Sequence, residues 1–155
     1  MSLLVIRPDE WNLPLLLHVA GAMVLTGAVV VAAAALVLSV RSDNDDRYPL
    51  VHFAFRTLLF AGIPSLIVMR GAAAWIESKE GLENTDSAWL GIGYATAEGG
   101  ALLIIIATIL AWLASRRIRT NPDGPSMMTR ISMALTFVLI AAYVVAVWAM
   151  TTKPS

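Results

Sequence analysis

Four long apolar stretches, each long enough to cross a lipid bilayer, constrain this sequence more than any other feature. They cover residues 12–40, 50–76, 87–115 and 126–150. A helix of about 20 mostly apolar residues spans the roughly 30 Å of hydrocarbon in a bilayer. The links between the stretches are short and polar, and short links join antiparallel neighbours. The sequence therefore predicts one all-α domain, residues 1–155, folded as a four-transmembrane-helix antiparallel (up-down-up-down) bundle.

The scarcity of charge supports the membrane interpretation. Only 14% of the residues are charged, whereas soluble domains carry about a quarter. The formal net charge is zero, so the chain has no basic field for nucleic acid and we expect no nucleic-acid partner. The sequence contains no nucleophilic triad, phosphate-binding loop or zinc motif. It therefore predicts a protein that is not an enzyme and whose first partner is the lipid bilayer.

Tryptophans and basic residues predict how the chain is oriented. Each of the five tryptophans lies within a few residues of a predicted helix end, as in the aromatic belts of membrane proteins. Five arginines lie in the first and third links, and three basic residues lie on the opposite side. We therefore expect a bacterial cell (cytoplasmic) membrane with both termini extracytoplasmic. As an alternative, the first stretch could be a signal peptide cleaved near residues 32–35, although its apolar run is longer than a signal core.

Three polar residues in the outer half of the predicted bundle form the main candidate site. Counting 1.5 Å of rise per residue from the nearest tryptophan places His18, Arg70 and Glu98 at similar depths. A charge deep in lipid costs at least about 2.5–3.5 kcal/mol. Because a lone carboxylate would be costly there, we predict an Arg70–Glu98 ion pair inside the bundle, with His18 nearby. The sequence leaves open whether this pair is a structural tie or a functional site.

The second predicted helix carries its polar residues on one face. On a helical wheel Arg56 lies about 40° from His52, and Arg70 returns to the starting angle. This alignment predicts a polar face that looks into the bundle, unless a kink at Pro64 rotates one half against the other. Arg56 and Arg130 are expected close to the cytoplasmic surface, where long basic side chains reach the headgroups. His52 is expected at the same interface.

Small residues follow one another at four-residue spacing along the outer half of the third helix. Gly91, Ala95 and Gly99 form one such row. A second row consists of Gly93, Ala97 and Ala101. Rows of this kind allow two helix backbones to approach closely. We therefore predict close helix packing at the first row, with a cavity or an oligomer contact as the alternatives.

The histidines limit which cofactors the chain could bind. His18 and His52 lie near opposite ends of the predicted bundle, about 25–30 Å apart in depth, which is too far for one haem. His18 with Met69 remains an alternative pair, since histidine and methionine ligate haem in some cytochromes. His18 is therefore the only candidate ligand for haem or copper. The prediction is that no cofactor is bound.

The first helix resembles those of two families. The segment Leu17-His-Val-Ala-Gly-Ala22, followed by Gly27, resembles the opening helix of small bacterial four-helix integral membrane proteins of no established activity. The likeness to this group in length and number of spans covers most of the chain. The same segment is distantly similar to the Leu-His…Gly signature of the copper-resistance D-type membrane family. The tryptophan-glycine-glycine run of that helix is replaced here by Val24-Leu-Thr-Gly27, which argues against metal transport.

These patterns support three hypotheses about function. The first is an accessory or interaction subunit without its own catalysis, which contacts other membrane proteins or forms a homo-oligomer. The second is a small carrier or proton-handling protein in which Glu98 changes its protonation state. The third is a haem or metal site at His18. We expect the first.

Overall fold

A computed structural model of the chain describes residues 12–80, 88–121 and 124–152, and this part of the chain is almost entirely helical. The elements are α1 (Asn12–Arg41), α2 (Asn44–Thr57), a π-helical turn (Leu58–Gly62), α3 (Ile63–Glu80), α4 (Ala88–Thr120) and α5 (Met127–Thr152). The π-helical turn joins α2 and α3 into one continuous rod. Four segments are therefore long and apolar enough to cross a membrane. The prediction of an all-α four-helix bundle is confirmed, and the chain is a multi-pass membrane protein.

The helices continue beyond the apolar stretches at the end that carries the first and third links. α2 begins at Asn44, although the apolar stretch begins at residue 50, and α4 ends at Thr120 and not at residue 115. Acidic Asp45 and Asp46 occupy the first turn of α2, where carboxylates stabilise the positive end of the helix dipole. Arginines occupy the last turn of α4, where they stabilise its negative end. Helical structure therefore extends past the hydrocarbon.

The helix α1 forms the centre of the bundle. It packs on α2, α3 and α5, whereas α4 packs mainly on α5 and α2 and contacts α3 little. Side chains that are fully buried come from every segment: Leu25, Val29, Leu36, Val51, Leu58, Ile104 and Leu139. Alanines on the buried face of α1, such as Ala32 and Ala33, leave room for close neighbours. The helix α2 therefore contacts both α1 and α4, whereas α3 and α4 contact each other little.

Two polar contacts between helices were not predicted from the sequence. Arg47, which is buried, donates from Nε to the carbonyl of Ser39 (3.2 Å) and from Nη2 to that of Ser42 (2.9 Å). It thereby stabilises the carboxyl end of α1, where the last carbonyls lack helical partners. Ser132 Oγ donates to the carbonyl of Ala107 (2.9 Å) and ties α5 to α4. Neither Arg47 nor Ser132 belongs to a sequence motif that predicts such a contact, and only the tertiary fold brings them to these carbonyls.

A π-helical turn interrupts the second helix between Arg56 and Arg70, so the constant angle per residue behind the predicted polar face does not hold across it. Pro64 lies two residues after the turn and has no N–H group to donate to the carbonyl four residues earlier. A π-helical turn adds one residue to the helix and shifts the register of the residues after it. Arg56, which precedes the turn, is exposed, and its guanidinium lies 5.8 Å from the ring centre of Phe60. The prediction of a common inward face is wrong for Arg56.

Candidate functional site

The predicted site residues gather at the end of the bundle opposite the first link. Arg70 and Glu98 lie inside the candidate spans Asp45–Ile76 and Ala97–Thr120. Arg70 precedes Trp75 by five residues, which places it about 7.5 Å further along the helix axis toward the middle of the membrane. Trp75 and Trp148 are both exposed, as expected for one aromatic belt. Trp11 lies outside the described residues.

The structure brings Arg70 and Glu98 together, but on the outside of the bundle. Arg70 Nη2 lies 3.5 Å from Glu98 Oε1, and the two side chains are 39% and 74% exposed. Glu98 lies about 180° around α4 from the buried Ala107, nine residues later. It belongs to the outward stripe of α4 that also contains Leu102, Ile105 and Ile109. The expectation that the pair lies inside the bundle is therefore wrong.

His18 makes a separate contact between α1 and α3. Its Nδ1 lies 3.1 Å from the carbonyl oxygen of Met69. Because a carbonyl can only accept, Nδ1 must carry the proton in this contact. Within the described residues this is the only hydrogen bond of His18, so the histidine does not join the Arg70–Glu98 pair. The predicted three-residue cluster is thus two contacts on different sides of α3.

The contact of His18 depends on a glycine in the same helix. A Cβ atom on Gly21 would lie 3.1 Å from both the backbone nitrogen and the Cβ of Met69. The absence of a side chain at Gly21 therefore lets α1 and α3 approach closely. This approach brings the His18 ring within reach of the Met69 carbonyl. Gly21 is part of the motif that carries the family resemblance, but its packing role becomes visible only in three dimensions.

The geometry at His18 bears on the histidine–methionine alternative. His18 meets the backbone carbonyl of Met69, and this hydrogen bond occupies Nδ1 and leaves Nε2 as the nitrogen that a metal would have to bind. Among residues 12–80, 88–121 and 124–152, no three His, Cys, Asp or Glu side chains are grouped for a metal ion.

Ala95 and Gly99, the described members of the small-residue row on α4, do not pack against another described helix of this chain. Ala95 and Gly99 are exposed, and a Cβ atom on Gly99 would meet nothing within 4 Å. The packing around Gly91 lies outside what the structure describes. Gly100 is the buried glycine instead, with a Cβ position 3.5 Å from the hydroxyl of Tyr143. Within the described part of the chain the prediction of close packing is therefore wrong for Ala95 and Gly99, which leaves these two residues facing lipid or another protein.

Tyr143 is a polar residue that sequence reasoning missed. It is buried in α5 against Gly100, and its hydroxyl has no hydrogen-bond partner among the described residues. A buried hydroxyl without a partner reduces stability. A tyrosine inside an apolar run carries no sequence signal that would distinguish it from a residue of the aromatic belt. The hydroxyl lies on the inner side of α4, away from Glu98.

The opposite end of the bundle carries most of the arginines. Arg130 is exposed, as Arg56 is, and Arg116 and Arg119 lie over the rings of Trp112 (4.1 Å) and Tyr48 (4.6 Å). Contacts of this kind hold guanidinium groups at the level of aromatic rings. A cavity of about 180 Å³ near the third link is lined by Arg117, Asn121 and Ser126, among others. Which side of the membrane this end faces stays a prediction.

The Glu98 carboxylate is open to further contacts and lies on the opposite side of α4 from the buried residues of that helix. Glu98 has a largely exposed carboxylate and one described partner, so it can accept further hydrogen bonds from outside. The buried residues of α4 include the apolar Ile104 and Ala111, together with Thr108 and Ser115, whose hydroxyls donate to carbonyls of the same helix. No protein-family model, curated protein or solved structure matches this chain.

Proposed function

We propose that this chain is a small interaction subunit of the cell membrane, without catalysis of its own, that binds another transmembrane segment. The contact surface is formed by Arg70, Gly71, Ala95, Glu98 and Gly99, which we call the ion-pair face. One observation carries the proposal: the Arg70–Glu98 pair lies within membrane-spanning helices and yet points away from the bundle, with Glu98 74% exposed.

Exposure has a different meaning for a membrane helix than for a soluble one. Lipid chains cannot donate or accept hydrogen bonds, so a carboxylate that faces them keeps its unfilled acceptor sites at a cost. Arg70 approaches one oxygen of Glu98 at 3.5 Å, a distance longer than a strong charge-assisted hydrogen bond. Within the described residues Glu98 has no further partner. A neighbouring protein helix with polar groups at this depth would satisfy it.

The surroundings of the ion pair also favour a protein neighbour. Gly71 and Gly99 flank the two charges, and a Cβ atom at either position would meet no described atom within 4 Å. Because glycine has no side chain, the backbones of α3 and α4 are accessible beside the pair. Another helix can therefore approach both backbones closely. Larger apolar side chains, such as Leu102 at 61% exposure, continue the face toward the middle of the membrane.

The carrier hypothesis has less support from the same geometry. A carrier needs its titrating group on a path between the helices, where a substrate can reach it from either side. Glu98 instead lies on the far side of α4 from the buried residues. A cofactor at His18 has no favouring observation either. We also propose that the chain is related to the small bacterial four-helix membrane proteins that its first helix resembles, and that it lies in the cell membrane of a bacterium.

A site-specific photo-crosslinker tests the proposal. Placed at Leu102, beside the ion-pair face, it should form adducts with a membrane protein that mass spectrometry identifies. Val144 on α5 is the matched control because it is equally exposed, at 63% against 61%. The same adducts should weaken in the Glu98→Gln chain. Only lipid adducts at position 102, or the same protein captured equally at both positions, would contradict the proposal.

A further inference from the structure

We infer that the partner of the ion-pair face is a second copy of this chain, related to the first by a two-fold axis along the membrane normal. This inference rests on the proposed interaction function and names its partner. Two copies inserted in the same orientation present Arg70 and Glu98 at the same depth. A two-fold rotation about the normal keeps that depth unchanged, so the charged groups of both copies meet.

The charges on this face are complementary to themselves. Arg70 and Glu98 lie side by side on neighbouring helices, one positive and one negative, 3.5 Å apart. Turning an identical face through 180° about the normal sets Arg70 of each copy opposite Glu98 of the other. Each carboxylate then lies between two guanidinium groups, and the four charges sum to zero. A partner of different sequence would need opposite charges at this same depth, whereas a second copy supplies them by symmetry.

The shape of the face permits this approach. Because Gly71 and Gly99 have open space where a side chain would begin, α3 and α4 can both come near the same surfaces of the other copy. The small residues Ala95 and Gly99 follow the four-residue spacing that supports close helix dimers in membranes. Farther along α4, the exposed Ile105 and Ile109 would extend the contact with apolar packing. The second copy would also cover the carboxylate that the first leaves exposed.

Cysteine crosslinking provides the first test, because the native chain contains no cysteine. Under oxidation in native membranes, Gly99→Cys should give a disulfide-linked species of twice the 16.6 kDa chain mass. A disulfide requires the two Cβ atoms to come within about 4.5 Å of each other, so random encounters contribute little. Val144→Cys is the control, because its neighbour Tyr143 packs against Gly100 and the two positions therefore lie at similar depth. Equal crosslinking at both positions, or none at position 99, would overturn the inference.

The second test uses two variants of the chain, distinguished by different tags, in which the charges at positions 70 and 98 are changed to a single sign. Both chains also carry Gly99→Cys so that association can be read as a disulfide. Glu98→Arg leaves one chain with two arginines at the face, and Arg70→Glu leaves the other with two glutamates. Each variant alone should self-associate at least about tenfold less than the native face, since like charges then meet. Coexpressed, the two chains should crosslink to each other, because every contact between copies is again between opposite charges.

The mixed pair separates the contact between copies from the pair within one chain. In neither variant can residues 70 and 98 attract each other within the chain, so recovered crosslinking can only come from attraction between chains. If the coexpressed variants are present in the membrane and fail to crosslink, the inference is wrong. If they do not accumulate, the Gly99→Cys result decides alone. A different protein captured at Leu102, with no self-adduct, would refute the dimer and leave the interaction function standing, whereas no protein adduct would refute both.

Discussion

Met69 and Arg70 are adjacent in α3, yet they take part in two very different regions of the molecule. Met69 faces α1, where its backbone packs on Gly21 and its carbonyl accepts a hydrogen bond from His18. Arg70 faces outward and meets the exposed carboxylate of Glu98. Both regions lie at a similar depth in the membrane. The α1–α3 contact joins two helices of the same chain, whereas the ion-pair face leaves the Glu98 carboxylate largely exposed to another molecule.

The comparison shows that polarity inside a membrane segment does not by itself identify a binding site. His18 and Glu98 both interrupt apolar stretches, and each is a candidate by the same reasoning. What separates them is where their contacts lie, because His18 contacts a carbonyl between two packed helices, whereas the Glu98 side chain is 74% exposed. His18 uses its contact to hold two helices of the same bundle together. Glu98 contacts Arg70, but most of its side-chain surface is exposed on the outside of the bundle, where a second protein can contact it.

Replacing Gly21 should produce the largest effect on folding. In Gly21→Leu the new side chain would meet the backbone of Met69, and overpacking of this kind costs about 1–3 kcal/mol. Gly27→Leu is the control, because a Cβ atom there meets nothing within 4 Å. Unfolding in detergent mixtures, followed by circular dichroism, measures the free energy of unfolding. Equal stability of the two variants would show that α1 and α3 are not in close contact.

Removing the His18 hydrogen bond should have the next largest effect. His18→Ala loses the donor to the Met69 carbonyl, and hydrogen bonds between membrane helices contribute about 0.6 kcal/mol on average and up to about 1.7 kcal/mol. Thr26→Val is a control in the same helix, since the Thr26 hydroxyl bonds only to the Ala22 carbonyl one turn earlier. The same unfolding experiment applies. A loss in Thr26→Val that matches or exceeds that in His18→Ala would contradict the assignment.

Neutralising the ion pair should affect the isolated chain only slightly. Glu98→Gln removes the charge of a side chain whose described contact with the rest of the chain is Arg70, and the glutamine amide oxygen can still accept a hydrogen bond from the guanidinium. The free energy of unfolding of the monomer in detergent should therefore change by less than in His18→Ala. The crosslinking yield at position 99 should fall much more than that stability does. A monomer strongly destabilised by Glu98→Gln would show that the pair belongs to the fold and not to an interface.

The smallest effect is expected at Tyr143, on the inner side of α4. Tyr143→Phe removes a buried hydroxyl that has no partner among the described residues, so the change should be neutral or slightly stabilising. The packing against Gly100 is kept because the ring remains. The melting temperature of the purified chain is a sufficient measurement. A clear drop would reveal a partner of the hydroxyl, such as an ordered water.

The location of the site was only half predictable. The sequence indicated that Arg70 and Glu98 lie at compatible depths, because depth depends only on helix rise and on the tryptophan positions. It did not indicate the direction in which they point. The π-helical turn before Pro64 changes the helical register between Arg56 and Arg70, and a wheel with constant spacing does not include such a turn. The orientation of α4 about its own axis likewise placed Gly100, and not Gly99, against α5.

The sequence alone determined that the chain forms four membrane-spanning helices, because the length of an apolar run and the thickness of a bilayer leave few other solutions. It also determined which polar groups must find partners at membrane depth. Only the tertiary structure decided who those partners are, because that depends on the rotation of each helix about its axis and on where two backbones touch. The contact of His18 with α3 through Gly21, and the outward position of Glu98, both result from that packing.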